Sequence, residues 1–168
     1  MGYRIKERNE FTRIINQEGY KVAAEIGLGQ GINAEYLLNN TKLDKLYCCE
    51  NWQVKSSKRF KERTLEKMAQ FGDRFELVEG NSVGNAMLFE YKSLDYVYID
   101  GNHRYGKCFW DLRAWWPAVR EGGFFGGHDY VVAPKCGVIK AVTRFCNKYH
   151  VEFKLTKEDR PSYWLIKE

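Results

Sequence analysis

The sequence predicts an α/β fold, a doubly wound and mostly parallel sheet closed by a C-terminal hairpin. Three observations carry this expectation: short apolar runs that end in glycine or an acid, amphipathic stretches between them, and two facing β segments at the C-terminus. Val22 to Gly27 (VAAEIG) is the first run and reads as a buried parallel strand. Gly31 to Asn40 follows as a short helix, with Ile32, Tyr36 and Leu37 on one side, and Lys45 to Glu50 (KLYCCE) is a second strand. Between Lys55 and Phe71, the residues Phe60, Thr64, Met68 and Phe71 recur at helical spacing, with Gly72 ending the helix. Phe75 to Glu79 (FELVE) makes a third strand, and Ser82 is placed to cap the turn of helix beyond it. Leu94 to Asp100 (LDYVYID) is the clearest strand. Tyr105, Phe109, Leu112, Trp116 and Val119 then mark a long amphipathic helix, stopped by Gly122 and Gly123. Phe124 to Gly127 is a fifth strand, and Val138, Val142, Phe145 and Tyr149 mark a last helix. Val151 to Leu155 and Tyr163 to Ile166 face each other across Lys157 to Pro161. The first twenty residues are expected to form one helix, with Phe11, Ile14 and Ile15 on its buried side.

Composition narrows the class. A chain of 168 residues, 44% hydrophobic and 29% charged, suits a single domain over residues 1–168, and it shows no repeat or linker. A mean hydropathy of -0.56 and the lack of an 18-residue apolar run exclude a membrane span. The N-terminus MGYRIKERNEF carries charges where a secretory signal needs apolar residues. Five cysteines without a CxxC pair, and only three histidines, argue against a disulfide framework or structural zinc and for reduced thiols in the cytoplasm. The net charge of +5 permits an anionic substrate or nucleic acid without demanding either. Basic residues do thicken between Lys55 and Arg74.

In a doubly wound sheet, ligands bind beyond the carboxyl ends of the strands, so the residues that end strands are the candidates for chemistry. The first strand ends Glu25-Ile26-Gly27-Leu28-Gly29-Gln30-Gly31, a turn that lets a ligand approach the backbone; Ile32 breaks the dehydrogenase pattern GxGxxG. Glu50, which ends the second strand, is spaced to accept hydrogen bonds from ribose hydroxyls. Asn51 and Trp52 follow it, and the Trp52 ring is read either as an adenine stack or as an ordinary partly buried side chain. Asn81 and Ser82, beyond the third strand, are candidates for the adenine edge. The fourth strand runs into Asp100-Gly101-Asn102-His103-Arg104-Tyr105 and the fifth into His128-Asp129-Tyr130. His103 is the side chain suited to take a proton at neutral pH. Asp100, His128 and Asp129 together suit a divalent ion, Mg or Mn, or plain hydrogen bonding.

With these residues in view, the chain resembles class I S-adenosylmethionine-dependent methyltransferases over nearly its whole length. Glu25 to Gly31 is similar to that family's first motif and Glu50 to its ribose-binding acid. The stretch from Tyr98 to Tyr130 resembles a subgroup with an Asp-Gly-x-His-x-Tyr signature, related to small-molecule and sugar O-methyltransferases. The resemblance implies a Rossmann-like, seven-stranded sheet with an antiparallel last strand. It implies a cofactor site at Glu25, Gly27, Gly29, Gly31, Glu50, Asn51, Trp52, Asn81, Ser82 and Asp100. It also implies a metal-binding acid at Asp100 and a base at His103. The family's usual acid in the fifth-strand pair is replaced here by His128, a departure that bears on the metal. Arg104, Tyr105, Trp110 and Tyr130 are the candidate substrate contacts, for a small molecule or sugar in a pocket either open or completed by a second copy of the chain in a homodimer. The alternatives are methylation of nucleic acid or protein, served by the Lys55–Arg74 stretch, and a non-catalytic nucleotide-binding module.

Overall fold

The computed structural model describes residues 3–53 and 59–168. Strands β1 (Val22–Ile26), β2 (Lys45–Glu50), β3 (Phe75–Glu79), β4 (Leu94–Ile99), β5 (Val119–Gly127), β6 (Lys154–Leu155) and β7 (Tyr163–Ile166) form one sheet in the order β3-β2-β1-β4-β5-β7-β6. The first five run parallel, and β7 pairs antiparallel with both β5 and β6. The chain leaves β1 toward one edge and returns on its other side as β4, which makes the carboxyl ends of β1 and β4 a topological switch point.

Helices cover both faces. On one lie α1 (Phe11–Gln17), α2 (Ile32–Asn40) and α3 (Lys61–Met68), and on the other α5 (Tyr105–Trp115) and α6 (Val138–Tyr149), with the single turn α4 (Ser82–Asn85) beside α5. The central strands are apolar on both faces because both are covered. Tyr96 and Tyr98 point toward Phe11, Phe124 and Trp164, whereas Val97 and Ile99 pack with Trp115, Phe125 and Phe145. The Tyr96 and Phe124 rings stack with centroids 4.5 Å apart.

The structure corrects several boundaries. The first twenty residues are not one helix: a short 3₁₀ turn at Arg8–Glu10 precedes α1, although Phe11, Ile14 and Ile15 are buried as expected. Lys55, where the third helix was expected to begin, lies outside the described residues, and the observed helix starts at Lys61. Ile32 is 60% exposed and Tyr36 half-buried; α2 buries Leu37 as expected, with Ala34 and Leu38 beside it. The helix after β4 ends at Trp115, because Pro117 cannot continue its hydrogen bonding, and Val119 already belongs to β5. Gly122 and Gly123 therefore lie inside that strand. A side chain at 123 would press on the carbonyls of Arg120 and Asp95 at 2.9 Å, beside the register shift between β4 and β5. Asn81, not Ser82, caps α4, its side chain accepting from the Gly84 amide. Only Lys154–Leu155 of the first hairpin arm pairs, since Val151 still donates to Cys146 at the end of α6.

One carboxyl interrupts the apolar interior of β1. Glu25 is 2% exposed, with the Asn33 amide donating to Oε1 at 3.1 Å and the Cys48 thiol 3.9 Å from Oε2. Burial, with the negative charge of Asp100 behind it, pushes the carboxyl up to about 8, against the smaller pull of Asn33 and Arg8. The native protein thus keeps this proton to about pH 8, while the unfolded chain releases it near 4.5. A raised carboxyl is fully favourable below its unfolded value and progressively costs stability as pH rises through the folded one, by about 5 kcal/mol at most. Glu25→Gln is therefore expected to flatten the fall in melting temperature between roughly pH 5 and pH 9, and to exceed the parent at the alkaline end. Parallel curves for the two proteins would contradict this account.

Candidate active site

A crevice of about 870 Å³ opens at the carboxyl ends of β1 to β4. Its floor is the turn after β1. Gly27 adopts φ +101°, and a Cβ there would overlap the Asp100 carbonyl and stand 2.7 Å from the Gly101 Cα, so β1 and β4 close on each other only through glycine. Gly29, at φ +51°, faces open space: a Cβ built on it meets no described atom within 4 Å. Gly31 departs from the sequence expectation. It is absent from the crevice wall, and its bare Cα instead faces Thr64 and Met68 of α3, where a Cβ would sit at 3.2 and 3.3 Å.

Glu50 stands at the end of β2 with both carboxylate oxygens held by backbone amides: Gly29 donates to Oε2 at 3.0 Å, Asn51 and Trp52 to Oε1 at 2.9 and 3.1 Å. The carboxylate is therefore aimed before any ligand arrives, and each oxygen retains acceptor capacity. Asn51, Asn81 and Ser82 line the same wall. Trp52 does not: its ring is 2% exposed and packs in the core on the α2–α3 side, so the adenine stack is replaced by the core alternative. Asp111 of α5, not singled out by sequence, is a crevice residue 6% exposed. Burial raises its carboxyl to about 6, against the pull of a Ser82 hydrogen bond and Lys107. Trp115 Nε1 donates to Ser82 Oγ at 3.0 Å and fixes that hydroxyl. Open space over Gly29, a carboxylate at Glu50 with acceptor capacity to spare and polar groups at the far wall could hold an adenosyl group with an amino-acid tail, in a volume typical of cofactor clefts.

At the other end of the crevice, the strand-end acids converge on one imidazole. His103 Nε2 is 3.4 Å from Asp100 Oδ1 and 3.2 Å from Asp129 Oδ2, buried and without a well-aligned hydrogen-bond partner among the described residues. Asp100, with Asp129 behind it, raises the His103 pKa above its ordinary range, against the opposing effect of burial. Burial would also raise the Asp129 carboxyl, but the Arg160 hydrogen bond and the neighbouring His103 and His128 outweigh it and hold it below the usual carboxylate range.

One ligand atom each from Asp100, His103 and Asp129 lies within 4.8 Å of the others. His128, expected in this set, stands behind it, with Nδ1 3.4 Å from Asp129 Oδ1 and 3.9 Å from Asp100 Oδ1. The donors suit a divalent ion by type, but cations already stand beside them. Arg160 Nε sits 2.5 Å from Asp129 Oδ1, and Arg8 Nη1 3.9 Å from Asp100 Oδ2. A dication entering the cluster would therefore meet positive charge already there.

Of the expected substrate contacts, Trp110 lines the crevice, 53% exposed. Arg104 is exposed at the start of α5 and lies off the crevice wall. Tyr105 turns to α6, its hydroxyl accepting from Arg144, and Tyr130 packs on Phe153 and Tyr163. The residues sequence reasoning missed are Arg8, Asn33, Lys107, Asp111 and Arg160. Asn33, Lys107 and Asp111 carried a weak signal, as polar side chains within amphipathic helices.

Residues 24–130 match the family model described as a methyltransferase domain. No curated protein sequence matches the chain. Among solved structures, it is similar to a Staphylococcus aureus protein assigned to the caffeoyl-CoA O-methyltransferases, at 14% identity over 98% of this chain and 86% of that one, with a TM-score of 0.73. It is similar to an O-methyltransferase from Bacillus cereus in complex with SAH, at 15% identity, 95% and 80% coverage and a TM-score of 0.68. It also resembles the spermidine synthase of Thermotoga maritima, at 16% identity and a TM-score of 0.68, covering 96% of this chain and 60% of that one. At such identities the likeness is one of fold, whereas the family match takes in the glycine turn, Glu50 and both strand-end clusters. The chain belongs to the methyltransferase-domain family.

Proposed function

We propose that the protein is an S-adenosylmethionine-dependent O-methyltransferase acting on a hydroxyl of a small molecule or sugar, with His103 as the general base. The observation that carries this reading is the position of His103 Nε2, buried between two carboxylates at the end of a crevice whose other end offers Gly29 and Glu50 to an adenosyl group. When bound, the cofactor supplies a methyl group already activated by its sulfonium. Glu50 accepts the ribose hydroxyls, the Gly27–Gly29 turn admits the tail beside Glu25, and Asn81 and Ser82 face the base. The part-exposed His103 imidazole takes the proton of the acceptor hydroxyl as that oxygen attacks, and Asp100 and Asp129, which flank Nε2, stabilise the resulting imidazolium. Most of the acceleration comes from aligning two bound reactants. Arg8 and Lys107 line the approach, with Trp110 as an apolar platform.

Methylation of nucleic acid or protein is less well supported by the surface. Within the Lys55–Arg74 stretch, Lys61 pairs with Glu79 and Lys67 with Glu35, and Arg74 donates to the carbonyls of Leu43 and Thr41. Three of the described cations of that stretch are thus engaged within the fold, while Arg63 is exposed. No helix among the described residues is long and apolar enough to cross a membrane. The free and mostly buried cysteines accord with a cytoplasmic protein, and the reading includes a single domain over the whole chain.

The test is methyl transfer to a panel of hydroxylated acceptors. His103→Ala is expected to lower turnover about 100-fold or more while leaving cofactor affinity unchanged. Equal turnover in the variant would remove the base from His103. The pH profile offers a second check. Because the carboxylates raise the His103 pKa, the acid limb of the rate profile should lie above the ordinary histidine range. Removing one charge in Asp129→Asn lowers that pKa, so the limb should move to lower pH even as the maximal rate falls. A limb that stays in place would show that another group titrates.

A further inference from the structure

We propose that this site works without a divalent cation because Arg160 binds one of its two carboxylates and Arg8 stands beside the other, where the ion would otherwise be needed. The inference rests on the reading of the Asp100–His103–Asp129 cluster as the transfer site, but it is tested by metal binding, which needs neither substrate nor turnover.

Both arginines come from outside the family match at residues 24–130: Arg8 from the turn before α1, and Arg160 from the loop between β6 and β7. They are not stray surface cations, because a clasp built by other residues positions them. Glu158 Oε1 accepts from the Arg8 amide at 3.1 Å, from Thr156 Oγ1 at 2.8 Å and from Ser162 Oγ at 3.2 Å. The Lys157 amide donates to the Lys6 carbonyl at 2.7 Å, so the N-terminal segment and the hairpin loop are joined twice. The Tyr130 amide then donates to the Pro161 carbonyl at 2.9 Å, which fastens the loop beside Asp129. The clasp thus brings one guanidinium over each carboxylate.

Asp129 is 5% exposed, and its Oδ1 is the oxygen that Arg160 Nε occupies. A dication entering the cluster would sit among two guanidinium groups and an imidazole, and would have to compete with a charge-assisted hydrogen bond to a buried carboxylate. His103 Nε2 lies between the same two carboxylates, 3.4 Å from Asp100 Oδ1 and 3.2 Å from Asp129 Oδ2, where a protonated imidazole adds a further positive charge against an entering dication.

The experiment is calorimetric titration with Mn²⁺ of chelator-treated protein, paired with melting curves in Mn²⁺ and in EDTA. The parent should show no saturable binding at millimolar Mn²⁺ and the same melting temperature in both media. The Arg8→Gln/Arg160→Gln variant should acquire saturable Mn²⁺ binding, tighter than the parent by roughly tenfold or more, and lose it again when Asp129→Asn is added. Arg160→Gln alone, altering a side chain that is 61% exposed, serves if the double variant does not fold. Saturable Mn²⁺ binding by the parent that disappears in Asp129→Asn would overturn the proposal. A folded arginine variant with no gain in Mn²⁺ affinity would overturn it as well. S-adenosylhomocysteine titrated into the same samples reports on the cofactor site separately, so failure there is distinguishable from failure of the metal argument.

Discussion

Everything at the site hangs from the close approach of β1 and β4 at their carboxyl ends. The Asp100 amide donates to the Ile26 carbonyl at 2.7 Å, and the Gly27 amide to the Cys49 carbonyl at 2.8 Å, so the central strand is bonded to both neighbours up to its last residue. Any side chain at position 27 would meet the Asp100 backbone. The chain must then turn away through positive φ at Gly27, Gly29 and Gly31, and that turn delivers the Gly29 amide to Glu50 on the next strand. The His128 amide donates to Ile99 at 3.0 Å and carries the same stitching to β5, which brings Asp129 round to face Asp100. The glycine turn with Glu50 and the Asp100–His103–Asp129 cluster are thus two ends of one set of strand-end hydrogen bonds.

The site contains more acid than solvent could stabilise there, and the protein meets the excess in two ways. Glu25, enclosed in β1, takes up a proton and becomes neutral near physiological pH. Asp129, less deeply enclosed, stays ionised because Arg160 reaches it from the C-terminal hairpin. The first solution leaves a polar but uncharged group in the crevice wall. The second keeps negative charge against His103, where it favours the protonated imidazole.

The sheet was legible in sequence because parallel strands covered on both faces are continuously apolar, as at VAAEIG, KLYCCE and LDYVYID, and because each ends abruptly in a glycine or an acid. The end of α5 was misjudged because Val119 keeps helical spacing with Phe109, Leu112 and Trp116, while Pro117 and the crowding at Gly123 decide the backbone. Glu50, Asn81, Asp100, His103 and Asp129 could be placed because topology alone brings strand ends together. Trp52 and Gly31 share their stretch but face the core, a matter of side-chain direction that spacing does not encode. Arg8 and Arg160 left no trace, since their partners lie across sequence separations of 92 and 31 residues, and nothing local marks an arginine that will neutralise a distant acid. His128 was the imidazole expected beside Asp100 and Asp129 and His103 the expected base, and the turn after β4 brings His103 into the cluster instead.

The central claim is that the strand-end crevice holds the adenosyl cofactor through a carboxylate aimed in advance by backbone amides. Calorimetric titration of S-adenosylhomocysteine into the parent protein and Glu50→Gln tests it most directly. The variant keeps the shape of the side chain but removes the charge that strengthens its bonds to the two ribose hydroxyls. Saturable one-to-one binding by the parent, weakened roughly 10- to 100-fold in Glu50→Gln with the melting temperature retained, is the predicted result. No binding by the parent, or equal binding by both proteins, would contradict the account.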